Sequence, residues 1–102
     1  MFGNMMEKLQ QAQQEMEERK NQLNHVLLDE KSPDGSIEVE ITANAELKKI
    51  NFSKEISEYD AEELEDLLIL TLNKAIERAN TTKEQELARV AQSSMPNIPG
   101  LS

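Results

Sequence analysis

From Asn4 to Asn24, apolar residues recur at three- and four-residue spacing. Met5, Leu9, Ala12, Met16 and Leu23 follow the period, with Arg19 in the slot after Met16. Between them lie Gln10, Gln11, Gln13, Gln14, Glu15, Glu17 and Glu18. This pattern predicts a helix of about 20 residues, roughly 30 Å long. Its apolar stripe is about one residue wide, which suits a coiled-coil seam better than a face sunk in a large core. The helix is therefore expected to project from the body or to lie against a partner helix. His25 to Glu30 predicts a short strand. Ser32-Pro33-Asp34-Gly35 then marks a turn, since proline presets one backbone angle and glycine accepts a positive φ. Ser36 to Thr42 alternates, with Ile37, Val39 and Ile41 on one face and Glu38, Glu40 and Thr42 on the other. Leu47 to Phe52 predicts a third strand with Ile50 and Phe52 in phase.

Two registers of the second and third strands keep their apolar faces together. One opposes Ile37 to Phe52 and Val39 to Ile50, and sets Glu40 beside Lys49; the other opposes Ile37 to Ile50 across a longer loop. A slip of one residue would put Lys49 beside Val39 on the core face, so the parity of the pairing is determined while the loop length stays open.

The second helix has the stronger local signals. Asp60-Ala61-Glu62-Glu63 has the form of a capping box, and Tyr59 and Leu64 are spaced for a hydrophobic staple across it. Glu62, Glu63, Glu65 and Asp66 suit the positive end of the helix dipole. The helix is expected to reach about Ala91. Leu64, Leu67, Leu68, Leu72, Ala75, Ile76 and Ala79 form a broad stripe in its first half, and Ile69 and Leu70 make that half apolar nearly all round. Leu64, Leu67, Leu68, Leu72 and Ile76 are thus candidates for both core and dimer contacts. Residues 1–91 are expected to form one α+β domain, a helix, a three-stranded antiparallel sheet and a helix. Residues 92–102 are expected to form a flexible proline-containing tail, in which Met95 to Ser102 cannot be helical. One helix covers only one face of a small sheet, so a homodimer is expected to complete the core.

Composition narrows the chemistry. A chain of 102 residues suits a single domain, with 37% hydrophobic and 3% aromatic residues. The absence of cysteine excludes disulfides and thiolate metal or redox sites. No apolar run is long enough to span a membrane, and the N-terminus has no secretory pattern, so a cytoplasmic protein is expected. Glycine occurs only at positions 3, 35 and 100, which allows no phosphate-cradling loop. A hydrolytic triad would need His25, the single histidine, and its neighbour Asp29 lies across a helix-to-strand junction. The six acids from Glu58 to Asp66 lack the glycine turn and oxygen-ligand spacing of a calcium loop, and helix-start electrostatics accounts for them. Met5, Met6 and Met16 read as seam packing, with an adaptable binding stripe as the alternative. No enzymatic activity, metal, cofactor or small-molecule substrate is therefore expected.

The 11 basic and 20 acidic residues give a net charge of −9, which by itself disfavours nucleic acid. The charge is uneven, however. Residues 57–66 carry −6, residues 3–25 carry −1 and residues 67–102 carry +1. A neutral-to-basic helical surface is available through Lys8, Arg19 and Lys20 on the first helix, or Lys74, Arg78 and Lys83 on the second.

The sequence also resembles the YbaB/EbfC family of bacterial nucleoid-associated proteins. The resemblance lies in Met1-Phe2-Gly3 followed by Gln11-Ala12-Gln13-Gln14 and Met16, in Glu63-Leu64-Glu65-Asp66-Leu67 running through Asn73-Lys74-Ala75 to Ala79, and in Pro99-Gly100-Leu101. It implies a homodimer with protruding helices in a tweezer-like shape. It also implies DNA as partner and a role in nucleoid organisation and gene regulation. The chain departs from the family in two places. Ala43 and Ala45 stand where the family favours glycines around the second hairpin, and the first helix is poorer in lysine. The alternative reading is an acidic dimeric adaptor that binds another protein through its helices.

Overall fold

A computed structural model describes the backbone of residues 2–94 and the side chains of residues 4–93. The order is α1 (Phe2–Gln22), a 3-10 turn (Leu23–His25), β1 (Leu27–Lys31), β2 (Ile37–Thr42), β3 (Leu47–Phe52), a second 3-10 turn (Ile56–Glu58) and α2 (Ala61–Ser94). The strands form one antiparallel sheet in the order β1-β2-β3. This is the expected α+β arrangement.

The boundaries differ in detail. His25 closes the 3-10 turn, so β1 begins at Leu27 rather than at His25. The second helix continues to Ser94, three residues past Ala91. Ala91-Gln92-Ser93-Ser94 contains no proline or glycine to stop it. Residues 92–94, expected in the tail, therefore belong to the helix, and the rest of the expected tail, from Met95, lies outside the described residues.

β2 is the centre of the molecule. Ile37, Val39 and Ile41 are wholly buried on one face of the sheet. With Tyr59, Ala75 and Ala79 they form the core, and Leu28, Phe52, Leu64, Leu67, Leu68 and Leu72 pack around it. On α2 the wholly buried positions are Thr71, Ala75 and Ala79, which are small residues. Their short side chains let the helix axis approach the sheet, while the flanking leucines fill the space on either side. Thr71 satisfies its hydroxyl by donating to the Leu67 carbonyl at 2.6 Å. Ile76, a candidate for core or dimer contact, is 39% exposed in the single chain.

The second hairpin keeps the parity that the alternation required. In β2–β3, Ile37 pairs with Phe52, Val39 with Ile50 and Glu40 with Lys49. The register then shifts by one residue between Glu40 and Ile41, so that Ile41 pairs with Leu47. The bulge absorbs the extra residue and keeps an apolar residue opposite Ile41. In the first turn, Gly35 takes a φ of +76°. The Asp34 carboxylate accepts from the Ser32 hydroxyl at 2.6 Å and from the Ser36 amide at 3.0 Å. Hydrogen bonds from Ser32 and Ser36 lower its pKa to about 2.

The second turn is the one with alanines. Ala45 has a φ of +63° and donates its N–H to the Thr42 carbonyl at 2.9 Å. Ala43 is wholly buried, which leaves Ala45 as the position where glycine would relieve strain. A left-handed alanine costs roughly 1–2 kcal/mol, and the extra chain entropy of glycine offsets about 0.5–1 kcal/mol of that. Ala45→Gly is therefore expected to raise stability by about 0.5 kcal/mol, read as a higher urea midpoint at constant m-value. An unchanged or lower midpoint would show that the Ala45 methyl, which packs against the core, is worth more than the strain.

The capping box at the start of α2 does not close. The Asp60 carbonyl accepts the first helical bond, from Leu64 N–H at 2.9 Å, so the helix begins where expected. Among the described residues, however, no side-chain bond joins Asp60 or Glu63 to the backbone there; both side chains are exposed. Six acids within nine residues are held apart at less cost in water than if two of them turned inward. Tyr59 anchors the entry instead. It is buried, donates its hydroxyl to the Ser36 carbonyl at 3.3 Å, and meets Phe52 edge-on at a centroid distance of 6.1 Å.

Candidate nucleic-acid interface

The molecule is elongated, with extents of 68 × 25 × 16 Å. The first part of α2 lies over β1 and β2, and β3 is the strand it covers least. The second part of α2 packs against α1. Along α1 and into the turn that follows it, the packed seam is Ala12, Met16, Arg19 and Leu23, as the period required, whereas residues 4–11 are all exposed. Met5, Met6 and Leu9 are therefore not packed within the chain: each is more than 60% exposed. The facing end of α2 offers only Leu87, Val90 and Ala91, all half-buried, and is too sparse in apolar groups to engage the whole stripe.

The cations on the two helices fall into two groups, while Lys31, Lys48, Lys49 and Lys54 lie on the strands or just after β3. Lys74 and Arg78 line an open groove beside β1 together with Glu30, Glu77, Thr81, Thr82 and Gln85. Arg78 donates to the Asp29 carbonyl and lies 3.7 Å from Glu30. This groove is balanced in charge, and its arginine is already engaged. Lys83 is not part of it. It lies half-buried on the flank of α2 that also carries half-buried Leu87.

The second group belongs to the helix pair. Lys8 is exposed, and Lys20 reaches Glu17 at 3.5 Å, a long and largely exposed pair that contributes little. Arg19 crosses to α2, donating to Glu86 Oε2 through Nη2 at 2.7 Å and through Nε at 3.2 Å. Arg89 reaches the same oxygen from within α2. The hydrogen bond from Arg19, reinforced by the charges of Arg19 and Arg89, holds the Glu86 carboxyl below its ordinary range. Arg89 is the cation that reasoning from the sequence passed over. Its spacing from Glu86 is a visible i, i+3 pair, but the bond from Arg19 spans 67 residues and leaves no local trace.

Charge is graded along α2. The acids Glu58 to Asp66 sit at its start, beside the sheet. Lys83 lies about 26 Å farther along the helix at 1.5 Å per residue, about three Debye lengths at physiological salt. The helix pair is thus screened from the most acidic part of the chain.

Large apolar side chains also remain exposed, Leu27, Ile56 and Leu70 among them. Leu47 and Ile50 on β3 are about 40% exposed, and Ile69 and Ile76 on α2 are 52% and 39% exposed. Ile69 and Ile76 project roughly 140–180° around the helix from Lys74 and Arg78. Since Lys74 and Arg78 face β1, the two isoleucines lie on the flank toward β3. Leu64, Leu67, Leu68 and Leu72 contribute to the chain's own core from the adjoining face. His25 is exposed at the end of its turn. Among the described residues, no group of three or more acids or histidines is placed to hold a metal ion.

Residues 1–95 match the model of the YbaB/EbfC DNA-binding family. A nucleoid-associated protein of Flavobacterium johnsoniae is 46% identical over 97 residues, covering 95% of this chain and 91% of its own length. Another nucleoid-associated protein, from Thermodesulfovibrio yellowstonii, is 32% identical and covers 99% of this chain and 88% of its own. The crystal structure of an uncharacterised protein from Helicobacter pylori superposes with a TM-score of 0.73, covering 83% of this chain and 90% of the other, at 18% identity; that likeness concerns the fold alone.

Proposed function

The chain belongs to the YbaB/EbfC DNA-binding family, and from that premise we propose that it binds duplex DNA as a homodimer. In this reading it is a cytoplasmic, nucleoid-associated protein that contributes to nucleoid organisation and gene regulation. The observation that carries the assignment of the interface is the grading of charge along α2. The helix pair combines cations that reach solvent with distance from the acidic helix start. Lys8, Lys20 and Lys83 supply phosphate contacts, and the sheet end of the molecule faces away from the duplex. The second copy covers Leu47, Ile50, Ile69 and Ile76, a patch of the kind that monomeric proteins rarely leave in water. Lys74 and Arg78 take a lesser part, because Glu30 and Glu77 share their groove.

Three lysines per chain give about six phosphate contacts in a dimer. Affinity is then expected to fall by about three orders of magnitude between 50 and 200 mM salt. Lys8→Gln with Lys20→Gln is expected to reduce the slope of log K against log salt by about 3–4, equally on unrelated DNA sequences. Mobility shifts over a salt series measure both quantities. An unchanged slope in a folded double variant would move the interface off α1. Wild-type protein that binds no duplex even at 50 mM salt would favour the adaptor reading instead.

A further inference from the structure

We propose that Arg19 and Arg89 form a phosphodiester-binding subsite across the two helices, and that Glu86 occupies it as a competing internal anion. The inference rests on the DNA-binding reading above and names a site within it. Three features of the geometry carry it. First, one carboxylate oxygen, Glu86 Oε2, accepts from two guanidinium groups on different helices. Two arginines converging on one oxygen reproduce the arrangement by which guanidinium forks hold a phosphate oxygen. Second, the trio is reachable from solvent. The Arg89 side chain is 70% exposed, and those of Arg19 and Glu86 are about one-quarter exposed. Third, the trio stands in the most weakly acidic part of the molecule, on the face where the helix pair meets.

While Glu86 holds both arginines, the trio presents one net positive charge. A phosphate that displaced the carboxylate would meet two, but it would have to compete with a partner already in place. Glu86 therefore lowers affinity for DNA and flattens its salt dependence. The Gln22 side chain, which accepts from Arg19 Nη1 at 2.9 Å, keeps Arg19 directed toward the site after the acid is removed.

The test is Glu86→Gln, which retains the side chain's size and removes its charge. Binding to a mixed-sequence duplex is measured over a salt series, with thermal melting and sedimentation as controls for fold and assembly. The inference expects affinity at 50 mM salt to rise roughly tenfold and the slope to steepen by about 2–4, as up to four arginines per dimer reach phosphates. Arg89→Gln added to Glu86→Gln should remove about half of that gain, whereas Arg89→Gln alone should change the slope by much less, because Glu86 already holds that arginine. Unchanged or weaker binding by a folded Glu86→Gln variant overturns the subsite and leaves the DNA-binding reading standing. Should Glu86→Gln not fold, the single Arg89→Gln variant decides: a slope reduced by nearly 2 would mean that Arg89 contacts phosphate in the wild type, and the proposal of competition would fail. Binding seen only with Glu86→Gln would support the subsite, and binding by neither protein would reject both readings.

Discussion

Ile69→Asp together with Ile76→Asp is expected to convert the proposed dimer into a monomer at micromolar concentration while leaving the fold intact. The two side chains are 52% and 39% exposed in the single chain, so carboxylates there stay hydrated in the monomer. Association would bury them. Two-fold symmetry doubles the number to four charges in one interface, each costing at least about 1–3 kcal/mol without a partner. Every 1.4 kcal/mol is a factor of ten in affinity, so the dissociation constant should rise by at least about 10³. Sedimentation equilibrium measures it, and far-ultraviolet circular dichroism checks the fold. A wild-type protein that is already monomeric at micromolar concentration would reject the dimer, and a double variant as tightly associated as wild type would place its interface elsewhere.

Ile41→Ala tests the interior rather than the interface. Ile41 is wholly buried on the central strand, paired with Leu28 on one side and Leu47 on the other. Truncating such a residue costs about 2–5 kcal/mol through lost transfer energy and the cavity left behind. For a chain of this size, total stability is on the order of 5–15 kcal/mol, so the variant should lose a large fraction of it. The expected reading is a fall in Tm of more than about 10 °C. A loss below about 0.5 kcal/mol would mean that the space collapses around the alanine and that β2 is not the rigid centre of the core.

The element order and the strand parity were legible because they depend on short-range periods. A period of two places Ile37, Val39 and Ile41 on one face whatever surrounds them, and a shift of one residue would expose all three. A spacing of three and four marked Ala12, Met16, Arg19 and Leu23 as one stripe, and the chain buries or half-buries all of them. At the second hairpin the resemblance marked Ala43 and Ala45 alike as standing where glycines are favoured, and only the folded backbone puts the positive φ at Ala45. The capping box misled for a physical reason. Its spacing is correct, but spacing cannot report whether a carboxylate among five others turns toward the helix or stays in water.

What the sequence determined by itself, then, was which residues share a face and which face is apolar. Local backbone geometry sets those relations, and they hold before any two elements meet. Tertiary structure alone decided where α1 docks along α2. That choice left Met5 and Leu9 exposed although they fit the seam period, and left Ile69 and Ile76 open beside β3. It also brought Arg19 to Glu86 and Arg89, and gave Arg78 to β1 rather than to a row with Lys83. The partners of a charged side chain depend on distances between elements far apart along the chain. Such distances follow from packing the whole core, and no window of the sequence contains them.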